Sequence, residues 1–347
     1  MRSEASLSRT ETARALSFGL LASGVLLACL VAPPVSAEPP TPLANETVDS
    51  WKSEGAYQVW LGREYFSFLG TEKSDSLPDP RMLADVLPAF GFNKKEWRAA
   101  TKSNLSSPAV PFGLDLSFAK VNDDDLKALA GFRKLQTLNL DRSFVTDVGL
   151  KELVALENLQ TLNLRNTKVT DAGMKTLATM PQLRSICVAV TPVSDAGVRE
   201  LAGLKNLREL HLGSTNVTDA CLKDIAKLVD LETLNLSETR VTEVGLDQIS
   251  QMKNLQELGL RKIKITDAGF KKLSGLTKLT TLDLEKSQVS DASIELLSHL
   301  KNLEFLNLAD SKMTADGRDE LQRALPNCTI MLGLDIELGD GDLDDLF

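Results

Sequence analysis

The sequence predicts an α/β solenoid, a coil built by repeating one strand–turn–helix unit. A pattern of apolar residues recurs every 24 residues without insertion, in nine copies between Pro111 and Pro326. Each copy contains a stretch of alternating apolar and polar residues, as in a half-buried strand, and then apolar residues three or four apart, as on one face of a helix. The copies, called coils 1 to 9, begin at Pro111, Leu135, Leu159, Leu183, Leu207, Leu231, Leu255, Leu279 and Leu303.

Coil 3 illustrates the unit. Leu162 and Leu164 belong to the alternating stretch, and Met174 and Leu177 belong to the helical stripe. Thr170 or Asp171 stands where a helix N-cap is expected. Neither stripe can be buried alone, so strand must stack on strand and helix on helix. Strands pair at about 4.8 Å whereas packed helices need about 8–10 Å. This predicts a horseshoe with a parallel β-sheet on the concave face and helices on the convex face.

The consensus LxxLxLxxTxVTDxGLxxLxxLxx resembles the leucine-rich repeat family, and Val169–Gly173 (VTDAG) resembles its TDxGL subclass. That subclass is familiar from F-box-type substrate receptors and from secreted bacterial repeat proteins. The resemblance covers residues 111–332. It implies the horseshoe fold, and it implies macromolecular binding only by analogy.

Two further positions of the repeat constrain its geometry. Position 15 is glycine in six coils and Asp125, Cys221 or Ser293 in the others. A left-handed backbone would not accommodate those three residues, so a small residue is required there for steric reasons. Position 9 is Ser or Thr in seven coils, and its hydroxyls are expected to satisfy backbone groups of the turn. Ala119 and Ile263 interrupt that row, and Ile263 predicts a local defect or an apolar plug.

Residues 1–37 resemble a secretory signal. Basic residues precede an apolar run over 15–31, and Val35-Ser36-Ala37 offers a cleavage site before Glu38. This predicts an exported protein that is periplasmic, at the cell surface or secreted. The alternatives are an uncleaved anchor, or a lipoprotein modified at Cys29, and only these would place the protein at a membrane.

The region before the repeats differs in composition. Residues 38–50 are rich in proline and polar residues, which predicts a flexible lead. Residues 51–110 hold all the tryptophans and tyrosines, and helices are expected from Asp79-Pro80 and from Asn93. This predicts a small helical N-terminal cap on coil 1, or alternatively a docking module. The aromatic residues are Trp51, Tyr57, Trp60, Tyr65 and Trp97.

The region after the repeats has two parts. Residues 327–332 predict a closing strand. Residues 333–347 contain six acids and no base, which predicts a disordered acidic tail. The tail lacks the ordered ligand set of a calcium loop. Cys187, Cys221 and Cys328 fall on different faces of the coil, so they are expected to be free buried thiols.

Composition and motifs argue against several classes of function. The formal net charge is −9, and it becomes −10 once cleavage removes three arginines and two glutamates. An acidic chain is a poor match for a phosphate backbone, so nucleic acid is not expected as a partner. The histidines, His211 and His299, accompany no nucleophile, phosphate-binding or metal-binding motif. The chain is therefore predicted to be non-enzymatic, with no cofactor and no metal.

The concave face offers the candidate binding site. Coil 4 is apolar where other coils are polar, with a histidine beside it, and coils 7 and 8 carry a basic spot near acids. Such apolar patches with charged rims are typical of interfaces, although the same residues could simply be soluble strand residues. The candidate residues are Arg142, Arg165, Cys187, Ala189, Val190, His211, Arg261, Lys262, Asp283 and Lys286.

These observations predict an exported, non-catalytic protein-binding module that recognises a macromolecular partner, expected to be a protein, on its concave face. One alternative is an intracellular adaptor that resembles the substrate receptor of an F-box ubiquitin ligase. Another is an envelope structural protein without a specific ligand, and a further one is an enzyme whose chemistry lies in the aromatic N-terminal region.

Overall fold

The computed structural model describes residues 43–53, 56–62, 86–92, 97 and 105–333. Its strands form one sheet in the order of the sequence. β1 and β2 are antiparallel, and every later strand is parallel to its predecessor. The strands are β1 Tyr57–Gly62, β2 Val86–Gly91, β3 Phe112–Asp115, β4 Leu135–Asn139, β5 Thr161–Asn163, β6 Ser185–Cys187, β7 Glu209–His211, β8 Thr233–Asn235, β9 Glu257–Gly259, β10 Thr281–Asp283, β11 Phe305–Asn307 and β12 Thr329–Met331.

Short helices alternate with the strands, and several begin or end in a 3-10 turn. The helix of coil 3 has its predicted N-cap, since Thr170 Oγ1 accepts a hydrogen bond from the N–H of Ala172. The described helices are α1 Asn45–Ser53, α2 Asp123–Leu126, α3 Leu150–Leu153, α4 Asp171–Leu177, α5 Asp195–Glu200, α6 Leu222–Ile225, α7 Leu246–Ile249, α8 Asp267–Phe270, α9 Ile294–Ser298 and α10 Ala315–Ala324.

The predicted solenoid is confirmed. Strand leucines at positions 4 and 6, such as Leu162 and Leu164, are buried, and so are the helix residues Met174 and Leu177. They belong to one continuous apolar core that runs from coil to coil. The sheet face, predicted to be the concave side, carries positions 3 and 5.

An acid at position 13 joins each coil to the next. Asp147 Oδ1 accepts from the backbone N–H of Thr170 at 2.8 Å, and Asp147 Oδ2 accepts from the Thr170 hydroxyl at 2.6 Å. The sequence predicted only that this acid would favour the helix N-terminus. The remaining rungs of this ladder are Asp123–Thr146, Asp171–Ser194, Asp195–Thr218, Asp219–Thr242, Glu243–Thr266, Asp267–Ser290 and Asp291–Thr314.

This ladder explains the small residue at position 15. A Cβ on Gly173 would lie 2.4 Å from Asp147 Oδ1, and the backbone there is not left-handed. The steric reason is confirmed, but the obstacle is the acid of the preceding coil rather than the gap between strand and helix. Where position 15 is Ser293, its hydroxyl donates to Asp267 Oδ1 at 2.6 Å and so joins the ladder.

Position 9 satisfies backbone groups within its own coil. Thr167 Oγ1 donates to the carbonyl oxygen of Leu164 at 2.6 Å, and the threonines of coils 4 to 6 repeat the bond. Ile263 interrupts this row and is 2% exposed. It therefore acts as the apolar plug that was predicted.

The N-terminal region is less helical than predicted. Residues 57–62 and 86–91 are strands, because β3 would otherwise present unpaired backbone groups at the sheet edge. α1 also crosses the boundary predicted between lead and cap. Trp97 is helical, as expected for the helix from Asn93, whereas the helix predicted from Asp79-Pro80 lies outside the described residues.

Trp51 anchors this region to the repeats. Its ring stacks on Phe90 with centroids 4.3 Å apart and also contacts Phe112 and Phe132 of coil 1. Its indole N–H donates to the carbonyl oxygen of Ser106 at 2.8 Å. Trp97 is fully buried as well, so neither tryptophan is available to a partner. Both tryptophans belong to the apolar core that continues into the repeats.

The predictions at the two ends of the chain are tested only in part. β12 lies inside the segment 327–332 predicted as a closing strand. The predicted signal at 1–37 and the acidic segment after Gly333 lie outside the described residues. Cys187, Cys221 and Cys328 are buried, and none of them forms a disulfide within the described residues. Within the described residues, no helix has the length and hydropathy needed to span a bilayer.

Candidate functional site

Position 5 of most coils caps the turn that follows the strand. Asn163 Oδ1 accepts a hydrogen bond from the N–H of Arg165 at 2.9 Å, which forms an Asx turn. Asp283 makes the same bond to Glu285, so this candidate binding residue has a structural role. The side chains of this row are largely buried and hydrogen-bonded. The other members are Asp115, Asn139, Asn235 and Asn307.

Three coils near the middle of the stack lack the Asn or Asp of this cap. Position 5 is Cys187 in coil 4, His211 in coil 5 and Gly259 in coil 7. In coil 7 the backbone N–H of Arg261 instead donates a hydrogen bond to Ser237 Oγ of the neighbouring coil, at 3.2 Å. The repeat is therefore altered where the sequence placed the candidate site.

Cys187 and His211 lie side by side on β6 and β7. Burial raises the pKa of the Cys187 thiol to about 12 and lowers the pKa of the His211 imidazole to about 4. The thiol is thus protonated and the imidazole neutral at pH 7, although the ring keeps some surface exposure. This pair is poorly suited to nucleophilic or acid–base catalysis.

A buried acid beside this pair escaped the sequence prediction. Glu209 begins β7 on the same face as His211, and it is 5% exposed. Its Oε2 accepts a hydrogen bond from the Ser185 hydroxyl at 2.5 Å. The adjacent coils have Ser185 and Thr233 at this position, so a comparison of coils would have found it.

Val190 has a strained backbone at the surface. Position 8 is left-handed in all nine coils, and Val190 has φ 57°. A β-branched residue rarely adopts this conformation, because its side chain crowds the backbone. Val190 is nevertheless 39% exposed, so burial does not explain its presence. Strain of this kind often marks functional sites.

The basic spot in coils 7 and 8 is a charge network rather than a free patch. Arg261 Nε lies 3.1 Å from Glu285 Oε1 and 3.8 Å from Glu238 Oε1, as an ion pair without hydrogen-bond alignment. Lys262 and Lys286 are paired too, so the acids expected near this basic spot are bonded to it. Their contacts are Lys262–Glu238 at 2.9 Å, Lys286–Glu285 at 3.4 Å and Lys286–Asp310 at 3.6 Å.

Arg142 and Arg165 share one acid at the other end of the site. Asp141 lies 3.7 Å from the Arg165 guanidinium and 4.0 Å from that of Arg142. Burial raises the pKa of Asp141, and the two arginines oppose that rise. Arg142 also lies over the ring of Phe118, 4.9 Å from its centroid.

A neutral centre separates these two charged groups. It consists of Ala189, Val190, Gly213 and Ser214 at positions 7 and 8 of coils 4 and 5. The backbone N–H of Val190 donates to the carbonyl oxygen of Gly213 at 2.8 Å, so neighbouring coils stay in register here. Arg165 and Arg261 lie four coils apart, or about 19 Å at ordinary strand spacing.

Sequence comparison places this chain among known proteins. A profile of the leucine-rich repeat region matches residues 129–331. The chain belongs to the leucine-rich repeat family. No curated protein is significantly similar to it in sequence.

Two solved structures resemble this leucine-rich repeat protein. Internalin C2 from Listeria monocytogenes is 24% identical with a TM-score of 0.46, over 68% of this chain and 90% of that one. An internalin (InlF) from the same organism is 19% identical with a TM-score of 0.49, over 73% of this chain and 84% of that one. At this identity the similarity concerns the fold alone.

The leucine-rich repeat also carries a basic row that the sequence prediction missed. Position 10 is exposed and cationic in five coils and acidic in none. With positions 7 and 8 it forms the turn edge, which holds ten cationic and four acidic side chains in a chain of net charge −9. Tabulating charge by repeat position would have found the row, which comprises Lys120, Lys168, Arg240, Lys264 and Lys312.

Carboxylates in the described residues leave most of this row unpaired. No acid lies within ion-pair distance of Lys120, Arg240 or Lys264 in the part of the chain that the structure describes, and Lys168 lies 5.8 Å from the centroid of the Phe144 ring. The acids at position 13 follow three residues later, but their carboxylates bind the next coil. The described residues also contain no cluster of three His, Cys, Asp or Glu side chains that could hold a metal ion.

Proposed function

We propose that this protein is an exported, non-catalytic module that binds a protein partner at its neutral centre and the arginines on either side. One observation carries the proposal. In coils 4, 5 and 7 position 5 is no longer Asn or Asp, and in coil 4 the exposed Val190 holds a left-handed backbone. Neither change helps the solenoid to fold, so a role in recognition supplies the reason for both.

The chemistry of the centre supports binding rather than catalysis. An apolar patch with a charged rim suits a protein interface. The backbone of the turn edge is held by hydrogen bonds between coils, so little conformational entropy is lost when a partner binds. The protonated Cys187 thiol and the neutral His211 imidazole offer no activated nucleophile or base near pH 7.

Substitutions in the centre test the proposed site. We expect Val190→Asp, Arg165→Glu and Arg261→Glu each to lower partner affinity at least about tenfold, because each puts an unpaired charge or a reversed charge at the interface. Val190→Asp should not unfold the coil, because aspartate tolerates a left-handed backbone better than valine does. The measurement is titration of a partner first isolated by co-purification from the native host.

Lys175→Glu on the helix side is the matched control. Lys175 is exposed on α4, and its Nζ lies 4.0 Å from Glu200 Oε1. It therefore belongs to the helix side of its coil and not to the sheet face. It should leave partner affinity unchanged. An equal loss from Lys175→Glu and from Val190→Asp would contradict a site at the neutral centre.

Export is tested independently of binding. N-terminal sequencing of the mature protein from its host should begin at Glu38. An N-terminus at a lipid-modified Cys29 would assign a lipoprotein, and an intact Met1 in the cytoplasm would favour the adaptor alternative.

A further inference from the structure

The acidic segment 334–347 begins on the same edge of the sheet as the neutral centre. β12 ends at Met331, and Gly333 occupies position 7 of the incomplete tenth coil. Ala189 and Gly213 of the neutral centre occupy that position in their own coils, and so do Arg165 and Arg261. A chain that continues from Gly333 therefore starts in line with the proposed binding site.

Length allows this segment to cover the whole site. Fourteen residues follow Gly333. Fully extended, they span at most about 46–50 Å. Arg261 lies three coils back and Arg165 seven coils back, so the distances along the edge are about 14 Å and about 34 Å at ordinary strand spacing.

Charge is complementary between the segment and the turn edge. The segment has six acids and no base, and apolar residues stand between the acids, as in Asp342-Leu343-Asp344. The turn edge has an excess of cations, of which Arg240 and Lys264 are free of ion pairs in the described residues. Its exposed large apolar residues are Phe118, Phe144 and Val190, and of these Val190 lies between Arg165 and Arg261.

We propose that the acidic segment 334–347 folds back along the turn edge of its own chain and covers the neutral centre between Arg165 and Arg261. This inference rests on the proposed function, because it makes the segment an internal competitor of the partner at the same surface. A tethered segment acts at an effective concentration in the millimolar range, so even weak contacts would keep it in place. The partner would then have to displace it.

The test uses a synthetic peptide of residues 334–347 and a chain truncated after Gly333. The peptide should bind the truncated chain, measured by fluorescence anisotropy, and it should bind the full chain at least about tenfold more weakly, because the tethered segment competes. Its affinity should fall at least about tenfold between low and high salt. A peptide with its six acids changed to amides should not bind.

Paired charge reversals locate the peptide. In the truncated chain, Arg165→Glu with Arg261→Glu should weaken peptide binding at least about tenfold. The matched pair Lys175→Glu with Lys223→Glu, both exposed on helices, changes the net charge equally and should alter affinity less than about twofold. Equal losses from the two pairs would overturn the proposed location, and peptide affinities that are equal for truncated and full chains would overturn the internal contact.

Sedimentation and partner titration separate a contact within one chain from a contact between two copies. A full chain that dimerises in sedimentation, and loses the dimer on truncation, would place the segment on a second copy and overturn the proposal. Truncation should also raise partner affinity at least about tenfold. If the peptide fails to bind while the partner still requires Val190, only this inference fails; if the peptide binds and the partner ignores Val190, only the proposed function fails.

Discussion

Asp147 accepts two hydrogen bonds from Thr170, which lies 23 residues later in the chain and one coil away. The Thr170 hydroxyl is also the N-cap of α4, where it accepts the N–H of Ala172. One acid thus fixes the start of the next helix. Because the contact recurs from coil to coil, the ladder transmits the register of each coil to its neighbour.

We expect Asp147→Ala to lower the free energy of unfolding by about 2–3 kcal/mol, because it removes two charge-assisted hydrogen bonds and leaves the Thr170 donors unpaired. Urea denaturation followed by circular dichroism measures the change. Asp124→Ala is the control, since Asp124 is exposed and pairs only with Lys127. A loss from Asp147→Ala no greater than that from Asp124→Ala would show that the ladder is dispensable.

Gly173→Ala tests the steric role of position 15. The added Cβ would lie 2.4 Å from Asp147 Oδ1 and 2.7 Å from Val169 Cγ1. We expect a loss of about 1–3 kcal/mol in the free energy of unfolding, as for other overpacked sites. Gly131→Ala, where a Cβ would meet no atom within 4 Å, should cause no loss. Equal stability of the two variants would rule out the steric reason.

Val190→Asn should stabilise the fold and weaken binding. Asparagine tolerates the left-handed backbone and occupies the same position in coil 3 as Asn166, also at positive φ. Relief of strain should raise the free energy of unfolding by about 1 kcal/mol. Val148→Asn, at an exposed valine outside the left-handed row, is the control and should give no such gain. A destabilised Val190→Asn variant would mean that Val190 packs against the fold after all.

The buried acids at position 5 predict a stability that depends on pH. Burial raises the pKa of Asp115 and of Asp283 from 3.8 to about 6. Between these values the folded chain binds more protons than the unfolded chain, so the free energy of unfolding falls as pH rises from about 4 to 6. Asp115→Asn keeps the turn acceptor and should remove the part of this fall that Asp115 contributes, with a gain of about 3 kcal/mol at pH 7.

His211 contributes with the opposite sign in the same range. Its pKa is lowered from 6.5 to about 4, so the unfolded chain binds the extra proton and stability rises with pH across that window. His211→Asn should remove the rise and so make the net decline with pH steeper. The measurement is the slope of melting temperature against pH between pH 4 and pH 7. Relative to the unsubstituted chain, the decline should become shallower in Asp115→Asn and steeper in His211→Asn. Parallel changes would contradict both assignments.

Local pattern was enough to predict the solenoid. Alternation at Leu162 and Leu164 and the spacing of Met174 and Leu177 identify faces that only stacking can bury. The steric role of Gly173 was also predicted, because Asp, Cys and Ser replace glycine at this position in other coils, which argued for a need for small size rather than for a left-handed backbone. The two strands before coil 1 lie in a region predicted to be a helical cap, because their pairing with each other and with β3 depends on residues far away in the sequence.

The candidate site was predictable only in outline. The central apolar patch around Val190 was found because coil 4 departs from the repeat. The ion pairs of Arg261 and the hydrogen bond of Glu209 were not found, because their partners lie on neighbouring coils and depend on how the coils are stacked. Nor could charge alone show that Asp283 caps a turn.

The sequence by itself determined the repeat, its two faces and the residues that depart from it, because periodicity is a local property that a chain carries along its length. The tertiary structure decided which of those residues are free to act. Stacking brings residues about 24 positions apart into contact, and only then do charges neutralise one another, acids lock helices, and a few side chains between Arg165 and Arg261 remain without a structural task.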